Sequence, residues 1–156
     1  MKKVTFEIPQ ESFTLVKYIS HSGLPAVAAV NKSLLKFKNK KDVFPYVLSL
    51  WIEFQDVTDA GMPSGIELKK AEDFEDEIYE NMKGGLPFPN VLLVGRLTSN
   101  GVRDFFYRVH NAELVHEYLQ TLITQNNYPI KFDYTMDVDI KGDAEKELSK
   151  FLKLKR

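Results

Sequence analysis

The sequence predicts an α+β domain, a ferredoxin-like β-α-β-β-α-β plait with an added amino-terminal β-hairpin and a carboxy-terminal helix. Three observations carry this expectation. Segments 46–57 and 130–138 alternate apolar and polar residues, the period of a strand with one buried face. Segments 64–83 and 111–125 repeat apolar residues every three or four positions, the period of an amphipathic helix. Between the helices, Asn100-Gly101 separates two β-prone runs. Right-handed crossovers then place both helices on one sheet face.

The elements follow in chain order. Residues 12–20 are β-prone, His21-Ser22-Gly23 reads as a turn, and 24–31 returns, so the start reads as a hairpin. It either widens the sheet or covers its second face. Residues 32–41 carry five lysines around Leu34, Leu35 and Phe37, a short helix or loop with a solvated basic side. In 46–57, Tyr46, Leu48, Leu50, Ile52 and Phe54 share one face, and Asp59-Ala60-Gly61-Met62-Pro63 breaks the strand.

Ser64 and Glu67 form a capping box, after which Ala71, Phe74, Ile78 and Met82 face a core and Gly84-Gly85 stops the helix. Strands are expected at 91–98 and 102–110, joined by a type I′ turn at Asn100-Gly101, because both central residues of that turn need φ > 0. Asn111 caps a helix whose stripe is Leu114, Val115, Tyr118, Leu119, Leu122 and Ile123, ended by Asn126-Asn127. Phe132, Tyr134, Met136 and Val138 mark a half-buried strand, expected to lie centrally, antiparallel to 46–57, with Phe132 in the core. A last helix, 143–153, carries Ala144, Leu148, Phe151 and Leu152 on one side.

Composition bounds the chemistry. The 156 residues are 44% hydrophobic and 28% charged, with a formal net charge of −1. That suits a single domain: an appended 1–43 segment, a core at 44–138 and a terminal helix at 139–156. A near-neutral charge argues against nucleic-acid binding, which needs surplus Lys and Arg to neutralise phosphates. With no cysteine, disulfides, thiolate metal sites and cysteine nucleophiles are excluded. Glu7 and Pro9 interrupt the apolar stretch that a signal peptide needs, and the longest apolar run, 24–30, is far short of the roughly 20 residues of a bilayer span. The expectation is a cytoplasmic protein without membrane contact.

Motif chemistry is sparse. The run from Asp137 to Asp143 resembles a calcium loop, but Lys141 and Leu148 fall where oxygen ligands are required. His21, His110 and His116 lie outside any metal-ligand spacing, and no nucleophile-elbow, Walker or dinucleotide fingerprint occurs, so neither metal nor cofactor is expected. The acidic helix, 67–80, reads as a solvated face or as a docking surface for a basic partner. Trp51 either lies beneath the amino-terminal hairpin, or anchors a partner or stacks a base on an open sheet. Asp104 among the aromatics of the 102–107 strand argues against a phosphate-bearing ligand there. Arg103 is placed to hold Asp59 as a structural clamp, and Asp59, Arg103, Tyr107 and His110 are the best candidates for an enzyme site.

These motifs resemble a bacterial domain-of-unknown-function family, number 695. The likeness rests on Phe44-Pro45 before an apolar strand, Asp59-x-Gly61-Met62-Pro63 before a Glu-rich helix, and Thr98-Ser99-Asn100-Gly101-Val102-Arg103-Asp104-Phe105-Phe106-Tyr107. Ala60 stands where Asn or Asp is expected, and a tryptophan near the carboxy-terminal strand is absent. The resemblance implies an architecture like that of the regulator of ribonuclease activity B, a protein-binding inhibitor.

The functional expectation is a non-catalytic protein-interaction or regulatory module. It would bind through the acidic helix, the sheet face, or a site of Trp51, Asp59, Gly61, Met62, Pro63, Arg103 and Tyr107. The alternatives are an enzyme with its site near Asp59 and Arg103, and a single-strand RNA binder.

Overall fold

The computed structural model describes residues 7–37, 40–125, 130–140 and 145–153. Two short strands, β1 (Phe13–Ile19) and β2 (Pro25–Asn31), open the chain, and α1 (Lys40–Val43) follows a 3₁₀ turn at Lys32–Lys36. Then come β3 (Tyr46–Glu53), α2 (Gly65–Met82), β4 (Val91–Ser99), β5 (Val102–Val109), α3 (Ala112–Gln125), β6 (Phe132–Val138) and α4 (Lys146–Ser149), which runs into a 3₁₀ turn at Lys150–Lys153. The strands form one antiparallel sheet in the order β1-β2-β4-β5-β3-β6. Among the described residues, no helix is long and apolar enough to cross a membrane.

Local chemistry sets the boundaries. The Glu67 N–H donates to Ser64 Oγ, and the Leu114 N–H donates to Asn111 Oδ1, so both long helices start on the side chains expected to cap them. Asn100 and Gly101 have φ of 51° and 80°, the positive pair that a type I′ turn needs between β4 and β5.

Alternation then divides the sheet into two faces. Leu48, Leu50 and Ile52 of β3 and Phe105, Tyr107 and Val109 of β5 pack against Ala71, Phe74, Ile78 and Met82 of α2. Val115, Leu119 and Leu122 of α3 join the same core, so both long helices lie on one face, as their apolar stripes require. On the other face, Ala28, Val30, Leu92 and Val94 are covered by Leu34, Phe37, Phe44 and Leu148. Gly95 permits that cover, since a Cβ there would lie 2.7 Å from the Ala29 carbonyl oxygen and 3.1 Å from Leu148.

The hairpin therefore widens the sheet, and the 32–44 segment and the carboxy-terminal turns cover its second face. Several expectations need correction. Strand β6 pairs with β3 as expected but lies at the sheet edge, so Phe132 is only partly buried, against Phe74 at a ring distance of 5.4 Å. Val138 is exposed for the same reason, and Ile123 turns out of the α3 stripe into solvent. Strand β3 ends at Glu53 rather than at 57. The last helix is shorter than expected; Ala144, the Asn126-Asn127 stop and Asp143 of the calcium-like run lie outside the described residues, as does the Leu152 side chain.

Sequence reading missed the tie that holds the second face. Arg108 is fully buried; its Nη1 donates to the Phe44 carbonyl at 2.9 Å, its Nη2 donates to Glu145 Oε2 at 3.0 Å, and it also pairs with Asp139. One guanidinium thus joins β5, the chain entering β3, and the segments that flank the carboxy-terminal turns. A lone charge at this depth would cost several kcal/mol, about 3–5 when one partner of a buried pair is missing.

Candidate functional site

Two of the three motifs that carry the family resemblance, the Asp59–Pro63 loop and the Asn100-Gly101 hairpin, meet through backbone. Val57 bridges to Pro63, and inside that loop the Thr58 N–H donates to the Met62 carbonyl at 2.8 Å. Gly61 has φ +77°, and its carbonyl accepts from the Gly101 N–H at 2.6 Å, while the Gly101 carbonyl accepts from the Phe54 N–H. A Cβ on Gly61 would lie 2.9 Å from Asn100 Cα. Glycine is required there twice, for conformation and for space. Gly61, Met62 and Pro63 therefore seat the loop on the hairpin turn.

The Asp59–Arg103 clamp is not formed. Asp59 is exposed and has no ion pair among the described residues. Arg103 points instead to the α2 side of the sheet, where its Nε donates to Thr98 Oγ1 at 2.8 Å. Burial, then repulsion from Arg96, lowers its pKa from the ordinary arginine value. The enzyme cluster is not assembled either. His110 follows the end of β5, seven residues after Arg103 and about 23 Å from it at strand rise, and faces away from Tyr107. Its Nδ1 donates to the Val43 carbonyl at 2.6 Å, and its ring meets Phe88 edge-on.

Trp51 is not covered by the amino-terminal hairpin, which extends the opposite side of the sheet. It stays half-buried between two cross-strand neighbours, Asp104 and Asp133. Burial raises the Asp104 pKa. A base stacked on Trp51 would bring its phosphate toward two carboxylates.

The main concavity lies elsewhere. Because β1 and β2 carry the sheet beyond α2, the side chains of Leu15, Val27 and Ala29 form a floor with no helix above it. Leu68, Glu72 and Asp76 of α2 form its wall, enclosing about 530 Å³. A second chamber of about 620 Å³ continues along the helix, over Phe13, Leu93 and Tyr107, with Glu11, Tyr79 and Glu80 at its rim.

Arg96 and Glu75 border both chambers. Arg96 donates from Nε to Glu75 Oε1 at 2.6 Å and from Nη2 to Oε2 at 2.8 Å, and its guanidinium lies 5.4 Å from the centre of the Phe13 ring. Burial opposes the Arg96 charge, but the bonds and charge of Glu75 outweigh it and raise the pKa. Beside this pair, Tyr107 is 1% exposed, and its hydroxyl has no hydrogen-bond partner among the described residues. Burial, assisted by Glu75, pushes the Tyr107 pKa far up, so the group stays a neutral hydroxyl.

Of the expected site residues, the groove takes Arg103 and Tyr107; Trp51, Asp59, Gly61, Met62 and Pro63 lie outside it. Sequence reading missed Arg96, and took Glu75 only as one carboxylate of the acidic helix. Their signals were an arginine inside the apolar run Val91–Ser99, and a glutamate beside Ala71, Phe74 and Ile78 on the helix.

Fold and site together define an α+β domain whose six-stranded antiparallel sheet carries an open groove beside its first long helix. The chain belongs to the family of unknown function DUF695, whose family model matches residues 17–147. No curated protein and no solved structure matches the chain, and the implied likeness to the regulator of ribonuclease activity B is not shown.

Proposed function

We propose that the chain is a non-catalytic protein-interaction module, built on a split β-α-β plait, that docks its partner in the groove between α2 and the β1–β2 hairpin. The plait reading is supported by the sub-order β6-β3-β5-β4 within the sheet. One observation carries the docking reading: Leu15 and Ile19 are 72% and 59% exposed on one side of an edge strand, and Leu15 faces Glu72 and Asp76, which form no ion pair among the described residues. The two flank Lys17 on that side of the strand; exposed apolar side chains along a sheet edge offer a contact surface, and charge beside them steers the encounter.

Affinity capture from native lysate tests this reading, using the wild-type chain and Leu15→Ser/Ile19→Ser. Both positions are solvent-facing, so the substitutions leave the core intact. The expected result is a partner retained by wild type and lost by the variant. A partner retained equally by both would overturn the groove as the docking surface.

A further inference from the structure

We propose that the occupant of this groove is an extended protein segment bearing lysine or arginine, its aliphatic stems on the Leu15–Val27–Ala29 floor and its charges against Glu72 and Asp76. This rests on the docking reading above and adds the partner's chemistry.

Charge complementarity is the first argument. The carboxylates bordering the two chambers are Glu11, Glu72, Glu75, Asp76 and Glu80, against the guanidiniums of Arg96 and Arg103. Glu75 is neutralised by Arg96, and Glu80 pairs with Lys83. Glu11, Glu72 and Asp76 then remain without an ion pair among the described residues, against Arg103 alone. Glu72 and Asp76 are one helical turn apart and face the same chamber, a spacing that holds successive cations of an extended chain. Arg103, whose Nε is occupied by Thr98, borders the chamber that Leu68 of α2 also lines, while Glu11 and Glu80 border the other.

The floor is the second argument. Lysine and arginine carry apolar stems that lie along apolar surface while the head stays solvated. Leu15, Val27 and Ala29 supply that surface directly beneath the acidic wall. The third argument is the Tyr107 hydroxyl, buried at the edge of the second chamber with no partner among the described residues. A buried hydroxyl without a bond is costly, and a polar group of a bound segment supplies the missing bond.

The test uses fluorescence anisotropy of the full chain with labelled heptapeptides alternating leucine with lysine, glutamine or glutamate. The lysine peptide is expected to bind about tenfold tighter than the glutamine peptide. The preference should collapse near 1 M salt, where the screening length is about 3 Å. Glu72→Gln/Asp76→Gln should weaken the lysine peptide about tenfold, Leu15→Ser should weaken it severalfold, and Tyr107→Phe should weaken it in a chain that still folds. Glu113→Gln/Glu117→Gln on α3 removes the same charge from a remote exposed face and should change little. Equal loss in that control would mean non-specific attraction and overturn the proposal. So would equal binding of the lysine and glutamate peptides. If the lysine peptide fails to bind while Leu15→Ser/Ile19→Ser still loses a lysate partner, docking stands and the cationic chemistry falls.

Discussion

Arg96 and Glu75 join β4 to α2 through two parallel hydrogen bonds of 2.6 and 2.8 Å, at the boundary between the chambers of the groove. Both side chains are partly buried, so the pair is worth more than an exposed one. Glu75→Gln should destabilise the domain by about 1–2 kcal/mol. A double-mutant cycle with Arg96→Met, followed by urea unfolding, should show a coupling energy of similar size.

Gly61 and Gly65 separate two effects of the same substitution. Gly61→Ala places a Cβ 2.9 Å from Asn100 Cα on a backbone at φ +77°, and should cost about 1–3 kcal/mol. Gly65 begins α2, and an added Cβ meets nothing within 4 Å. Gly65→Ala should be neutral or stabilise by about 0.4–1 kcal/mol. Thermal melting of the two variants distinguishes them directly.

Among the described residues Arg108 is the largest fully buried side chain, and its loss takes the closest cation from Glu145, which keeps Lys40 at 3.5 Å, and a charge partner from Asp139. Arg108→Met should cost about 3–5 kcal/mol, and adding Glu145→Leu should recover part of that. Chemical unfolding of the single and double variants checks both values.

Asp104 carries a pH dependence whose sign follows from its burial. Burial raises its folded-state pKa above the ordinary aspartate value, so between the two values the folded state binds more protons than the unfolded one. Stability from this residue is present at low pH and is lost as pH rises through the folded-state value. Asp104→Asn should therefore raise the melting temperature at neutral pH. The gain should vanish below the ordinary Asp range, as melting curves across pH will record.

Elements governed by neighbouring residues were legible. The caps at Ser64 and Asn111 and the turn at Asn100-Gly101 are local chemistry, and all three formed, although the Ser64 N–H donates to the Asp56 carbonyl rather than to Glu67 as the expected capping box requires. Relations across the sheet were not. Alternation says which residues of β6 share a face, but an edge strand and a central strand alternate alike, so the burial of Phe132 was overestimated. The Asp59–Arg103 pairing failed because strand parity points Arg103 toward α2, where Thr98 occupies its Nε. Nothing near Leu15 announced a groove: its floor exists only because the hairpin extends the sheet beyond the helix that would otherwise cover it.

The central claim is that partners dock on the face between α2 and the β1–β2 hairpin, and amide NMR of the labelled full chain, titrated with the lysine–leucine heptapeptide, tests it most directly. The expected map has its largest shifts at Leu15, Val27, Ala29, Glu72 and Asp76, the floor and wall of the first chamber. The Trp51 indole, on the opposite face between Asp104 and Asp133, should stay in place. Shifts centred on Trp51, or spread evenly over the acidic surface without a maximum in the groove, would contradict the account.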